Sequence, residues 1–147
     1  MNNIFIKSFY DLTKDELYNI LRLRSEVFIV EQNCVYQDID QKDQSALHVF
    51  FKKNNKIIAY TRIFKPNDYF KYSSIGRVVV IKKERGSKIG SQIMNFSIKK
   101  IEEIFNEKKI KISAQKYLIN FYEKLGFSVI GDEYLEDGIP HIAMIKN

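Results

Sequence analysis

The residue types best suited to chemistry fall between positions 78 and 92. Val78, Val79, Val80 and Ile81 form a β-branched run, followed by the charged turn Lys82-Lys83-Glu84. Then come Arg85, Gly86, Ser87, Lys88, Ile89, Gly90 and Ser91, leading into an amphipathic segment that reaches Phe105. The spacing reads as strand, glycine-containing loop and helix start. Such a junction suits an anion, because the first backbone N–H groups of a helix lack intrahelical partners and the helix dipole adds positive charge there. The glycines let a phosphate approach the backbone, and Lys82, Lys83, Arg85 and Lys88 surround it with charge. The plainer reading is an ordinary strand-to-helix turn with a solvated basic face. No Gly-Lys-Ser/Thr of a Walker loop is present, and two glycines do not make a dinucleotide fingerprint.

A second stretch, residues 31–43, carries Glu31, Asp38, Asp40 and Asp43 against Lys42. It reads as an acidic loop about a dozen residues long without a period, which suits an ammonium-bearing ligand or simply faces water. Arg24 stands in the middle of an apolar helical stripe of Leu17, Ile20, Leu21, Val27 and Phe28. If buried, it needs carboxylates or carbonyls around it; otherwise it reaches out to solvent.

The elements that must position these residues follow from patterning. Residues 3–10 alternate as an edge strand. Thr13 and Glu16 form a capping box, with Leu12 and Leu17 at staple positions, and open a helix that runs to about residue 32. Residues 46–51 and 56–64 read as a hairpin around Asn54-Asn55. Residues 72–81 form a third strand, whose apolar run predicts burial on both faces. A helix over about 86–105 is expected to bury Ile89, Ile93, Met94, Ser97, Ile101 and Ile104 or their neighbours. A strand over 109–114 and a short helix over 118–125 ended by Gly126 follow. Two short final strands, 127–130 and 142–145, are joined by a polar segment. This order predicts a mixed α/β fold, a sheet of about seven strands with helices on both faces.

Composition narrows the class. The chain has 147 residues, 45% of them hydrophobic, which fits one globular domain over residues 1–147. No apolar run approaches a membrane span, and Met1-Asn2-Asn3 is unlike a signal peptide. A lone cysteine, Cys34, excludes an internal disulfide and, with two histidines, argues against a metal site; a cytoplasmic setting is expected. Net charge is +6, concentrated in residues 82–124, where eleven Lys/Arg face five Asp/Glu. Nucleic acid is an unfavoured partner, because the basic residues lack aromatic interleaving.

Three local patterns resemble the GNAT acyltransferase superfamily. Arg85-Gly86-Ser87-Lys88-Ile89-Gly90 resembles its pyrophosphate loop, Arg/Gln-x-x-Gly-x-Gly/Ala, with Lys88 in place of the middle glycine and so expected in a non-glycine conformation. Phe121-Tyr122-Glu123-Lys124-Leu125-Gly126-Phe127 resembles the Tyr-x-x-x-Gly-Phe signature. The run from Leu23 through Val30-Glu31-Gln32-Asn33-Cys34 to Tyr36 resembles the ElaA-like branch. Gln115 stands where many members carry Asn.

The resemblance implies a GNAT fold, acetyl-CoA as acyl donor and N-acetylation of an amine acceptor by direct attack, in a protein that often pairs as a homodimer. By the same resemblance, Arg85 to Ser91 and Gln115 bind the cofactor, and the backbone of Val78, Val79 and Val80 receives its pantetheine arm. Tyr122 would protonate the leaving thiolate. Glu31 and His48 lead the candidates for the base, ahead of Asp40 and His141, while Cys34 would serve only a covalent route. The competing reading is a non-catalytic acyl-CoA-binding or partner-binding module on the same fold.

Overall fold

A computed structural model describes residues 3–147. Met1 and Asn2, on which the reading of the leader partly rests, lie outside the described residues. The chain runs β1 (Ile4–Ser8), α1 (Lys14–Arg24), β2 (Leu47–Lys53), β3 (Lys56–Phe64), β4 (Ser73–Val80), α2 (Ile89–Phe105), β5 (Ile110–Gln115), α3 (Ile119–Glu123), β6 (Ser128–Glu136) and β7 (Ile139–Lys146). The seven strands form one mixed sheet in the order β1-β2-β3-β4-β5-β7-β6. Among the described residues only β4 and β5 pair in parallel, across the α2 crossover. Among the described residues no helix is long and apolar enough to cross a membrane.

Local chemistry sets the first helix. Thr13 Oγ1 accepts from the Glu16 N–H at 3.0 Å, and Glu16 Oε1 accepts from the Thr13 N–H at 2.9 Å, the predicted capping box. Past Arg24 the helix widens into a π-helical turn, Ser25–Glu31. The looser winding keeps Val27 and Phe28 buried and delivers Glu31 and Gln32 to a cleft on the sheet. On this face Ile20, Leu23, Val27 and Phe28 pack against Phe50, Tyr60 and Val79. On the other face α2 buries Ile89, Ile93, Met94, Ser97 and Ile101. Each large apolar side chain so buried contributes roughly 1.5–3 kcal/mol.

Four expectations change. The strand buried on both faces is β3, whereas the second half of β4 is only partly covered, because it opens onto the cleft. Helix α2 begins at Ile89 and not at 86, since Lys88 is left-handed and cannot lie in a right-handed helix. Ile104 is exposed, one position off the buried stripe. The last two strands are nine and eight residues long and meet at Asp137-Gly138. That pair takes φ of 52° and 77°, a two-residue turn suited to right-twisted strands.

A candidate acyl-group cleft where the sheet splays

The site begins as a defect in strand pairing. Tyr60 pairs with Val79, yet Arg62 pairs with Gly76, so one residue of β3 faces both Arg77 and Val78. This bulge puts Arg77 at a φ of 47° and turns β4 away from its neighbour. On the other side, β4 pairs with β5 only through Ser73 with Ile110 and Ser74 with Lys111. Beyond that point the strands diverge, leaving the β4 edge without a strand partner. The opening is a cleft of about 620 Å³, in the usual range for small-molecule sites.

At one end lies the loop into α2. Gly86 has a φ of 88°. Lys88, expected outside glycine's conformational range, takes a φ of 68° and ψ of 11°, the left-handed region a glycine would favour. The backbone path of a glycine loop is therefore kept, and no side chain caps the first N–H groups of α2. A Cβ on Gly90 would meet the Phe121 ring at 3.4 Å and Val80 Cγ2 at 3.7 Å, so larger side chains would intrude into the cleft. Arg85 donates through Nε to the Val80 carbonyl at 3.0 Å and through both Nη atoms to Glu31 at 2.5 and 2.9 Å. These bonds hold the Glu31 carboxyl below its ordinary range. Glu31 thus sits at the loop, tied to Arg85.

The other cofactor candidates divide. Val78, Val80, Ile89, Ser91 and Gln115 line the cleft. Val79 buries its side chain against α1, which leaves only its backbone for a ligand. The Ser87 hydroxyl turns back to donate to the Glu84 carbonyl at 2.6 Å. Gln115, at the end of β5, donates weakly to the Gln32 side chain at 3.3 Å.

Tyr122 lines the same cleft from α3, its ring set edge-on against Phe121 and Phe127. Burial, aided by neighbouring Tyr117, pushes its hydroxyl above the ordinary phenol range. That hydroxyl makes no hydrogen bond with the described residues. The phenol stays protonated and available to a developing anion.

The acidic loop corrects an expectation. Asp38, Asp40 and Asp43 are already engaged by arginines. Arg24, fully buried, donates to Asp38 at 2.9 Å, to Asp43 at 2.8 Å and to the Asp38 carbonyl at 3.1 Å. Arg62 shares the same Asp43 oxygen at 2.9 Å and grips Asp40 at 2.8 and 2.9 Å. Arg77 completes the cluster, 2.8 Å from Asp38. Burial of Asp40 works against its charge, but Arg62 and Arg77 outweigh it and hold the carboxyl down to about 2. Buried guanidiniums require these anions, so the loop offers them to the scaffold and not to an ammonium. Asp40 is equally unavailable as a base.

His48 is corrected as well. It is fully buried, with Nδ1 2.6 Å from the Tyr60 hydroxyl and Nε2 2.8 Å from the Asp43 carbonyl, and it does not line the cleft. Burial lowers its affinity for a proton. Cys34 donates its thiol to the Asp137 carbonyl at 3.2 Å. Residues not singled out from sequence also line the cleft, notably Arg62, Phe64, Tyr69, Arg77 and Glu136. An arginine inside the apolar run of β3 was a legible signal for Arg62; nothing in residue type marked the others.

Comparison with known proteins agrees with this architecture. The family model of the acetyltransferase (GNAT) domain matches residues 11–147. Protein ElaA of Escherichia coli strain K12 is 41% identical over 138 residues, 92% of this chain and 90% of that one. The crystal structure of Escherichia coli ElaA superposes with a TM-score of 0.93 at 38% identity, covering 100% of both chains. That of an acyl-CoA N-acyltransferase from Pseudomonas aeruginosa gives 0.93 at 36% identity, covering 98% of both. The chain belongs to the GNAT acetyltransferase family and has its acyl-CoA N-acyltransferase fold.

Proposed function

We propose that residues 1–147 act as one cytoplasmic acyltransferase domain that moves an acetyl group from acetyl-CoA to a primary amine, by direct attack with both substrates bound. The observation that carries this reading is the opening between β4 and β5, which has the Arg85–Gly90 loop at one end and the Tyr122 hydroxyl inside. The residues present suit the cofactor. The Gly86 and Lys88 turn, the uncapped α2 N-terminus and the cationic side chains fit a pyrophosphate, and the unpaired β4 edge fits an amide-bearing arm. Structural likeness to the acyl-CoA N-acyltransferase supports the same assignment.

When bound, acetyl-CoA supplies the acetyl group as a thioester open to attack by an amine lone pair. The backbone N–H groups of the β4 edge would hold the arm and donate to negative charge developing on the acyl oxygen. Tyr122 gives its proton to the departing sulfur. Burial lifts the phenol further above a thiol's reference pKa of roughly 8.5, so the transfer is uphill alone and is coupled to loss of the nitrogen's own proton, which restores the phenol. The wall of Phe64, Tyr69 and Phe70 would receive the acceptor's body. A non-catalytic acyl-CoA-binding module needs no free phenol at this place, so the open Tyr122 hydroxyl favours the enzyme.

Calorimetric titration with acetyl-CoA tests the reading. Wild type is expected to bind at micromolar levels, and Gly90→Asp to lose at least about 100-fold, because it puts a carboxylate and its bulk where the pyrophosphate must lie. In Tyr122→Phe, binding should persist while kcat falls roughly 100-fold, the usual scale for loss of a general acid. No wild-type binding overturns the proposal. Undiminished turnover in Tyr122→Phe removes the phenol from it.

A further inference from the structure

The amine must shed a proton before it attacks, and neither Glu31 nor His48 is placed to take it. His141 is. It sits on β7 opposite Gln115 of β5 and lines the cleft, with only 7% of its surface exposed. Its Nδ1 lies 2.7 Å from the Ile139 carbonyl. A carbonyl only accepts, so Nδ1 must carry the hydrogen, and in the neutral ring Nε2 must then be bare. That bare nitrogen faces Glu136 Oε2 at 3.3 Å. In the neutral ring both are acceptors, and the contact becomes an ion pair once a proton arrives on Nε2. Glu136 is about half exposed, and its negative charge would draw a cation toward the gap.

We propose that His141 is the general base of the reaction, with Glu136 as its positioning partner and the attractor of the acceptor's ammonium. The inference rests on the acyltransferase reading. The ammonium gives one N–H proton to Nε2, and the imidazolium so formed faces the Glu136 carboxylate. The nitrogen lone pair then forms the C–N bond as the C–S bond breaks, and Tyr122 protonates the sulfur. The nitrogen's second proton restores the phenol, and the proton on His141 leaves to solvent, so each turnover releases one proton.

The surroundings hold few competitors. Tyr134 of β6 stacks on the ring at 6.2 Å between centroids. Asp137 lies in the turn beyond, Gln115 and Ser113 of β5 are uncharged, and Tyr36 and Arg77 belong to other elements lining the cleft or its rim. Burial and the Asp38 charge raise the Tyr36 hydroxyl, so it stays neutral across the working range. Arg77 is committed to Asp38.

The test compares two nucleophiles, propylamine and hydroxylamine. Propylamine is an ammonium near neutrality and needs a base, whereas hydroxylamine is already deprotonated. His141→Asn keeps a donor near Nδ1 but has no basic atom. It is expected to cut kcat with propylamine roughly 100-fold or more, to leave hydroxylamine transfer within a few-fold, and to leave the calorimetric acetyl-CoA affinity unchanged. Glu136→Gln should lose about 10-fold with propylamine alone. Nitrogen-15 NMR of the ligand-free protein should find the neutral His141 ring protonated at Nδ1.

Equal losses with both nucleophiles would mean a structural role and overturn the proposal. So would an Nε2–H tautomer, unchanged propylamine turnover in His141→Asn, or a wild type that accepts only hydroxylamine. A protein that binds no acetyl-CoA, or transfers to neither nucleophile, fails the acyltransferase reading itself.

Discussion

Two arginine-rich regions of the molecule use the same chemistry to opposite ends. Around Arg24, Arg62 and Arg77, three cations meet three carboxylates, and two of the guanidiniums are nearly inaccessible to water. Around the α2 loop the balance fails. Glu31 takes Arg85 and Glu84 takes Lys53, while Lys82, Lys83 and Lys88 make no ion pair among the described residues. The first cluster is closed and holds the 33–45 loop on the sheet. The second is open, and its surplus charge is what the proposed pyrophosphate site would use. Burial decides the difference: a buried cation that loses its anion must be desolvated without compensation, whereas an exposed one falls back on water.

The largest effect should come from removing one anion in each region. Asp43→Asn strips a shared oxygen from both Arg24 and Arg62, and denaturant unfolding should show a loss of roughly 3–5 kcal/mol. Glu31→Gln removes a carboxylate that is equally well bonded but partly solvated, and should cost less than about 1 kcal/mol. Similar losses in the two variants would break the comparison.

Acid should find the closed cluster as well. The folded-state carboxyls of Asp40 and Asp43 are depressed, so they add stability above the ordinary aspartate value of about 3.9 and lose it as pH falls through their folded values. Asp40, brought down to about 2, contributes on the order of 2 kcal/mol that should disappear between about pH 4 and pH 2. His48 acts earlier. Its folded affinity for a proton is lowered, so the unfolded chain binds the proton first and stability declines once pH drops below about 6.5. Urea unfolding as a function of pH should therefore show two descents. In Asp40→Asn the lower one should shrink, and a profile unchanged by that substitution would contradict the assignment.

How much of this was legible depends on the range of the signal. The Thr13–Glu16 capping box, the Asn54-Asn55 turn, the Arg85–Gly90 loop and Tyr122 are local patterns, and each lies where its motif placed it. The need of Arg24 for an anion was legible, but its partners lie 14 and 19 residues away and were not. The bulge at Arg77 was invisible because no residue type announces a positive φ there. The start of β6 was read as a strand over 127–130, but its continuation to Glu136 hid, because its exposed residues show no apolar alternation. His48 and His141 are each a lone histidine in a strand. Only tertiary structure tells one that is fully buried from one that faces the cleft.

The smallest effect sharpens the comparison from the open side. Lys88 holds a left-handed backbone at a φ of 68°, which costs a non-glycine residue roughly 1–2 kcal/mol. Its side chain makes no ion pair among the described residues that would offset the strain. Lys88→Gly should therefore stabilise the fold by about 1 kcal/mol, less what glycine gains in the unfolded chain, and raise Tm by roughly 2–4 °C. The same substitution removes a cation from the proposed pyrophosphate site. Acetyl-CoA affinity should drop a few-fold, and the drop should fade in high salt as screening sets in. Stability and affinity would thus move in opposite directions, as they should where strain is retained for a ligand. No comparable trade is available to Arg24 or Arg62, whose charges are spent on the fold. If Lys88→Gly gains stability with affinity intact at low salt, the lysine is no part of the anion site, and the open cluster shrinks to Lys82, Lys83 and the α2 N-terminus.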